Sequence, residues 1–218
     1  MTGGFYIIRL EKQQHIVYYY CIIYEKISES QKEGIYLQKW LIVYSSVTGN
    51  TKQIAKAMYS AFAENEADIF SIKDVDKIVL DDYDYIAVGY WLTRGAPDRA
   101  VQQLLSEISG KTVVLFQTHG AEIGSEHAVT AFARAASRLG NDCDVLGTFS
   151  SQGKINPALL ARRQNSADKN DPHAANERNR KRWENAAKHP DENDLLRAKD
   201  FISAMKHKLA LREKYIKR

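Results

Sequence analysis

Only two cysteines, Cys21 and Cys143, occur in 218 residues, and they form neither a disulfide framework nor a metal-binding spacing. That scarcity predicts a reducing compartment, with both thiols serving as small buried hydrophobes. No apolar run approaches the ~20 residues that a membrane-crossing helix needs, and the N-terminus lacks the charge-then-apolar order of a signal peptide. No internal repeat, metal cluster or nucleophile triad is visible either. These absences predict a cytoplasmic protein with no metal and no membrane partner.

The chain contains 44% hydrophobic residues, enough for one substantial core, and a single α/β domain with additions is the simplest arrangement. Its formal charge of +4 is unevenly spread. Residues 37–164 hold 13 Lys+Arg against 14 Asp+Glu, whereas residues 165–218 hold 14 against 9. The densest basic run, Arg178, Arg180, Lys181 and Arg182, precedes Trp183. A solvated helix face or a docking patch for an acidic redox partner explains that run better than a nucleic-acid footprint does.

Apolar runs alternate with helix-like segments from residue 40 onward. Strands are expected at 40–45, 67–71, 85–89, 112–117 and 144–149. Helices are expected at about 51–64, between the third and fourth strands, at 126–139, and at 191–212 with Asp191 as cap. The last helix aligns Leu195, Ala198, Ile202, Met205 and Leu209 in a stripe expected to close the second face of the sheet. A polar, basic segment, 156–190, intervenes. Strand–helix alternation at these spacings calls for a parallel sheet with right-handed crossovers.

Residues 1–36 stand apart as an N-terminal extension rich in tyrosine and isoleucine, where a two-stranded hairpin is one expectation. The other concerns the reading frame. Lys32-Glu33-Gly34 is what a purine-rich ribosome-binding site would encode if translated, which would put the natural start at Leu37 as a TTG codon.

The first strand runs into residues 45–51, SSVTGNT, and then a helix. Small hydroxyl residues and a glycine between a buried strand and a helix leave backbone N–H groups unpaired at the helix's positive end, which makes a phosphate cradle. Gly49 is followed by Asn50 rather than lysine, so a Walker loop is excluded, and the G-x-G-x-x-G pattern is absent too. The site would hold one phosphate through backbone amides and the hydroxyls of Ser45, Ser46, Thr48 and Thr51. Two later strand-end loops complete the picture: Gly89-Tyr90-Trp91-Leu92-Thr93-Arg94-Gly95-Ala96-Pro97-Asp98 and Thr118-His119-Gly120-Ala121-Glu122-Ile123-Gly124-Ser125. Gly95 permits a tight turn or a peptide flip. Arg94 fits either a role near a ligand or that of an exposed loop arginine, and His119 titrates in a range suited to proton transfer.

The loop resembles the T/S-x-T-G-N-T phosphate loop of flavodoxins, which grip flavin mononucleotide (FMN) with uncharged donors. Together with the Tyr90–Asp98 and His189–Ala198 stretches, the chain resembles short-chain bacterial flavodoxins, including the subfamily of the flavodoxin-like partner of bilirubin reductase. The resemblance implies a flavodoxin-like three-layer sandwich with a five-stranded parallel sheet in the order 2-1-3-4-5. It also implies FMN bound where the strand order reverses. Ser45, Ser46, Thr48, Gly49, Asn50 and Thr51 would surround the phosphate. Trp91, or Tyr90 in its place, would stack on the ring beside Leu92, and the backbone of Thr93, Arg94 and Gly95 would face flavin N5. Thr118, His119 and Gly120 would border the pyrimidine end.

The sequence departs from the family in two ways. No tyrosine occupies the second loop to complete a flavin sandwich, and the strongly acidic surface usual in flavodoxins is missing. The implied function is electron transfer between a reductase or reduced pyridine nucleotide and an acceptor enzyme. An FMN-dependent NAD(P)H reductase of a quinone or tetrapyrrole, or a flavin-free scaffold, are the alternatives.

Overall fold

A computed structural model describes residues 39–165 and 174–216. The N-terminal extension, with its expected hairpin and the expected start at Leu37, lies outside the described residues.

The strands are β1 (Trp40–Tyr44), β2 (Ala67–Ser71), β3 (Tyr85–Thr93), β4 (Ala96–Pro97), β5 (Thr112–His119) and β6 (Asp144–Gln152). Five of them pair in parallel in the order β2-β1-β3-β5-β6, which is the expected 2-1-3-4-5 order. The two-residue β4 folds back antiparallel on the end of β3. The helices are α1 (Asn50–Tyr59), α2 (Arg99–Glu107), α3 (Glu126–Ala136), α4 (Pro157–Gln164), α5 (Glu177–Ala186) and α6 (Glu192–Ile216). Among the described residues no helix is long and apolar enough to cross a membrane.

Strand alternation divides the core into two layers. Trp40, Ile42, Tyr85, Ala87, Val114 and Phe116 pack with Ile54 and Met58 of α1 and with Ala198, Ile202 and Leu209 of α6. Leu41, Val43, Ile86, Val88, Tyr90, Val113 and Leu115 pack with Val101, Leu104 and Leu105 of α2 and Ala135 of α3. The last helix therefore shares a face with α1 and does not close the opposite one as its stripe suggested. A stripe identifies the buried side of a helix but not which face of the sheet receives it.

Several elements differ in extent from the sequence expectation: α1 ends at Tyr59 and α3 at Ala136, and β5 and β6 run on to His119 and Gln152. β3 runs to Thr93 because the expected loop is a hairpin, with Leu92 opposite Pro97 and Thr93 opposite Ala96. Its two-residue turn, Arg94-Gly95, has φ of 52° and 75°, the double left-handed conformation of the primed turns that match strand twist. The polar segment after β6 holds two helices, capped by Asn156 (Oδ1 accepting from Ala158 N, 2.9 Å) and Asn176 (Oδ1 accepting from Asn179 N, 2.8 Å). Helix α6 continues past residue 212, and its start is fixed by reciprocal bonds between Asp191 and Asp194 at 2.9 and 3.0 Å.

Candidate functional site

The strand-end loops of β1, β3 and β5, together with the segment after β6, enclose a cavity of about 430 Å³, within the range of small-molecule and cofactor sites. From the 45–51 loop Val47, Thr48 and Asn50 line it, whereas Ser45, Ser46, Gly49 and Thr51 lie off the lining. Gly49 adopts φ 88° as the residue preceding α1, a conformation that a side chain would strain. No side chain caps α1, and no amide from residues 46–50 donates to a protein acceptor among the described residues. The hydroxyl of Ser46 and the Oδ1 of Asn50 are buried without partners. An unpaired buried donor costs roughly 1–3 kcal/mol, so the free amides and the Ser46 hydroxyl at a helix's positive end mark a place where a ligand supplies the acceptors; Asn50 Oδ1 is itself an acceptor and would need a donor. Uncharged donors around one concave end suit a phosphate monoester.

The other loop residues have structural roles. Ser45 N donates to Gly89 O at 2.9 Å, continuing the β1–β3 ladder, so this amide is spent. Thr51 Oγ1 lies 2.8 Å from Thr118 Oγ1 in a buried hydroxyl pair joining α1 to β5. The Thr51 hydroxyl, expected on the phosphate, is thus turned into the sheet. Asn50 Nδ2 donates to Lys154 O at 2.9 Å, and a Cβ on Gly153 would come within 2.5 Å of that same amide. A glycine at 153 is required for Asn50 to clamp the β6 exit against the loop.

On the β3 side, Trp91 and Leu92 line the cavity. Trp91 is half-buried, which suits a ring that offers one face to a flat ligand. Tyr90 does not reach the cavity. Alternation turns it to the α2–α3 face, where it is fully buried with its hydroxyl unpartnered, and burial pushes its phenol pKa far up. Thr93 and Gly95 also lie off the lining. Thr93 is paired in the hairpin, and Gly95 O accepts from Arg134 Nη1 at 2.9 Å, so this turn is fixed by α3 and is not free to flip. Arg94 does line the cavity.

Thr118, His119 and Gly120 form the third wall. His119 has two bonds, Nδ1 to Ala121 O at 3.1 Å and Nε2 to Ser150 Oγ at 2.6 Å. A carbonyl can only accept, so Nδ1 carries the proton and Ser150 donates to Nε2. Burial pushes the imidazole down to about 4, and the nearby His127 adds to the effect. Near neutral pH His119 is an uncharged brace for its loop, with both nitrogens engaged by protein. The expected proton-carrying role has no free nitrogen to use.

The remaining lining was not anticipated from sequence: Gly153 to Asn156, Leu159 and Arg163 of α4, and Arg178 and Arg182 of α5. Arg178 and Arg182 are four apart, one helical turn, and share a side. Asn179, Trp183 and Ala186 occupy the buried side. That i,i+4 spacing within the basic run was the available signal.

The Flavodoxin domain family matches residues 41–203. The chain belongs to the flavodoxin family. A flavodoxin-like domain-containing protein, BilS, of Clostridioides difficile is 31% identical over 178 residues, covering 79% of this chain and 99% of the relative. BilS of Clostridium symbiosum is 25% identical over 179 residues, covering 75% and 94%. Among solved structures, oxidised flavodoxin 2 from Bacillus cereus is 20% identical, covers 78% of this chain and 99% of its own, and has a TM-score of 0.47.

Two stability measurements check these assignments. Thr51→Val, which strands Thr118, should cost about 1–3 kcal/mol in urea unfolding, while Thr48→Val at an exposed position should cost little. The unfolded chain protonates His119 near the ordinary 6.5 and the folded chain near 4, so unfolding takes up a proton between those values. Stability should be full above pH 6.5 and fall as the pH drops towards 4, by about 3 kcal/mol in all. His119→Gln should remove this component. An identical pH slope in the variant would contradict the burial assignment.

Proposed function

We propose that this protein binds FMN non-covalently and passes electrons between a reductase and an acceptor redox enzyme. The observation that carries the reading is the set of unpaired backbone amides and the buried Ser46 hydroxyl at the α1 end, beside a cavity lined by Trp91. Thr48, Ser46 and the amides of residues 46–50 would hold the phosphate, and Trp91 with Leu92 would cover one face of the ring. Bound FMN supplies reversible one- and two-electron chemistry. The chain's own contribution is orientation, exclusion of water and a local field. The neutral His119 brace adds no charge to that field near pH 7, while the cavity's arginines favour negative charge.

The partner is expected to be acidic. Val47 and Leu159 at the cavity, and Ile123 on the adjoining loop, are exposed hydrophobics near Arg94 and Lys154, a combination that fits an apolar contact flanked by positive charge. A second reading is supported by the 118–125 wall, which contributes no tyrosine, tryptophan or phenylalanine to the cavity. In that reading the protein is an FMN-dependent NAD(P)H reductase of a small substrate such as a quinone or tetrapyrrole.

Purified protein should show a flavin absorbance band, or gain one on mixing with FMN, and Thr48→Val should weaken FMN binding by about tenfold, the loss of one charge-assisted bond. Reduction should require a separate reductase. Rapid NADPH oxidation by the protein alone would select the reductase reading, and a protein that stays colourless with excess FMN would overturn both.

A further inference from the structure

Some cations elsewhere in the fold pair with acids, as Lys39 with Asp68, Lys206 with Glu66, Arg212 with Asp144 and Lys181 with Glu177, while others, such as Lys52, Lys111 and Arg138, make no ion pair among the described residues. What sets the cavity apart is that several unpaired cations share one concave wall. Arg94, Lys154, Arg178 and Arg182 line it, and among the described residues none of the four makes an ion pair. Among the described residues Glu122 is the single carboxylate on the lining. Moreover, the Nε of Arg182 is buried with no acceptor. Like charges gathered on a concave, partly dry surface repel one another, and a buried guanidinium donor without an acceptor carries a desolvation cost. A site built this way is completed by an anion.

The charge balance argues for more than one anion. With Arg163 also on the lining, five cations less Glu122 leave a formal charge of +4 among the described lining residues. A phosphate monoester near pH 7 carries about −1.5 to −2, and the loop amides at α1 already offer it uncharged donors. Positive charge remains after the phosphate is placed, and it is concentrated on α5, an element separate from the phosphate loop.

We propose that Arg178 and Arg182, one turn apart on α5, form a second anion subsite for the acidic group of a flat organic substrate or co-reactant bound in the same cavity. The inference rests on the FMN reading above. A forked guanidinium matches carboxylate, sulfonate and phosphate alike, and these share the chemistry of a planar or tetrahedral oxyanion. The buried position of the Arg182 donor favours a small molecule that enters the cavity over a protein surface that rests on its rim.

The test uses the FMN-loaded full chain and naphthalene-1,5-disulfonate as a flat dianionic probe, titrated calorimetrically alongside separate titrations of FMN and riboflavin into flavin-free protein. Wild type should bind the probe in a salt-sensitive manner. Arg178→Ala/Arg182→Ala should bind it about tenfold or more weakly, with FMN and riboflavin affinities unchanged, and Arg178→Lys/Arg182→Lys should recover part of the loss. Thermal midpoints of both variants control for folding. Unchanged probe affinity in the alanine variant, or no probe binding by wild type, would overturn the proposal. So would a fall in FMN affinity with riboflavin unaffected, because the arginines would then serve the cofactor phosphate. Binding of polyglutamate in preference to the probe would move the arginines to a protein interface and overturn it as well. Failure of FMN to bind at all would instead remove the underlying reading, which the separate flavin titrations reveal.

Discussion

The unpaired backbone amides of residues 46–50 are the constraint on which the site depends. A central parallel strand buried on both faces has to deliver the chain to a helix within a few residues, and the amides at that junction have no carbonyl within reach. Most such ends are closed by a side chain, as Asn156 and Asn176 close α4 and α5. The α1 end has none, and Gly49 holds the loop in a left-handed bend. The donors are thereby fixed in the protein before any ligand arrives, and an anion is gripped without the reorganisation that a flexible lysine would require. The neighbouring side chains secure that geometry. Thr51 is tied to Thr118 beneath the loop, and Asn50 is tied to Lys154 O beside it.

Around this cradle further contacts shape the cavity. The 93–96 turn is tightened into a hairpin and pinned by Arg134, so the wall carrying Trp91 rests on a rigid support. The β6 exit is held close by the Asn50–Gly153 contact, which brings α4 and α5 to the cavity. Those two helices bring Arg163, Arg178 and Arg182 to the cavity. A cationic wall stabilises added negative charge nearby and draws acidic molecules towards it.

Much of the fold was legible in the sequence because its signals are local. Apolar strands separated by amphipathic helices pointed to a parallel α/β sheet, SSVTGNT pointed to the cradle through its small residues and its missing lysine, and the strand order came from the resemblance to flavodoxins. Alternation along β3 already implied that Tyr90 and Trp91 face opposite ways, and only Trp91 shares the cavity. What the sequence did not disclose depends on tertiary neighbours. Thr51 looked like a phosphate ligand until its hydroxyl met Thr118 across the α1–β5 contact. Gly95 looked free to flip until Arg134, 39 residues away, took its carbonyl. His119 looked like an acid–base group until burial and Ser150 held it neutral. Arg178 and Arg182 looked like a solvated face because nothing local says where a polar insertion folds back.

The most direct test of the central claim compares FMN with riboflavin, which differ by the phosphate alone, in fluorescence-quenching titrations of flavin-free protein. If the preset amides of residues 46–50 hold the phosphate, FMN should bind roughly a hundredfold or more tightly than riboflavin, corresponding to about two charge-assisted bonds. Equal affinities for the two flavins would contradict the account and show that the loop is not the phosphate site.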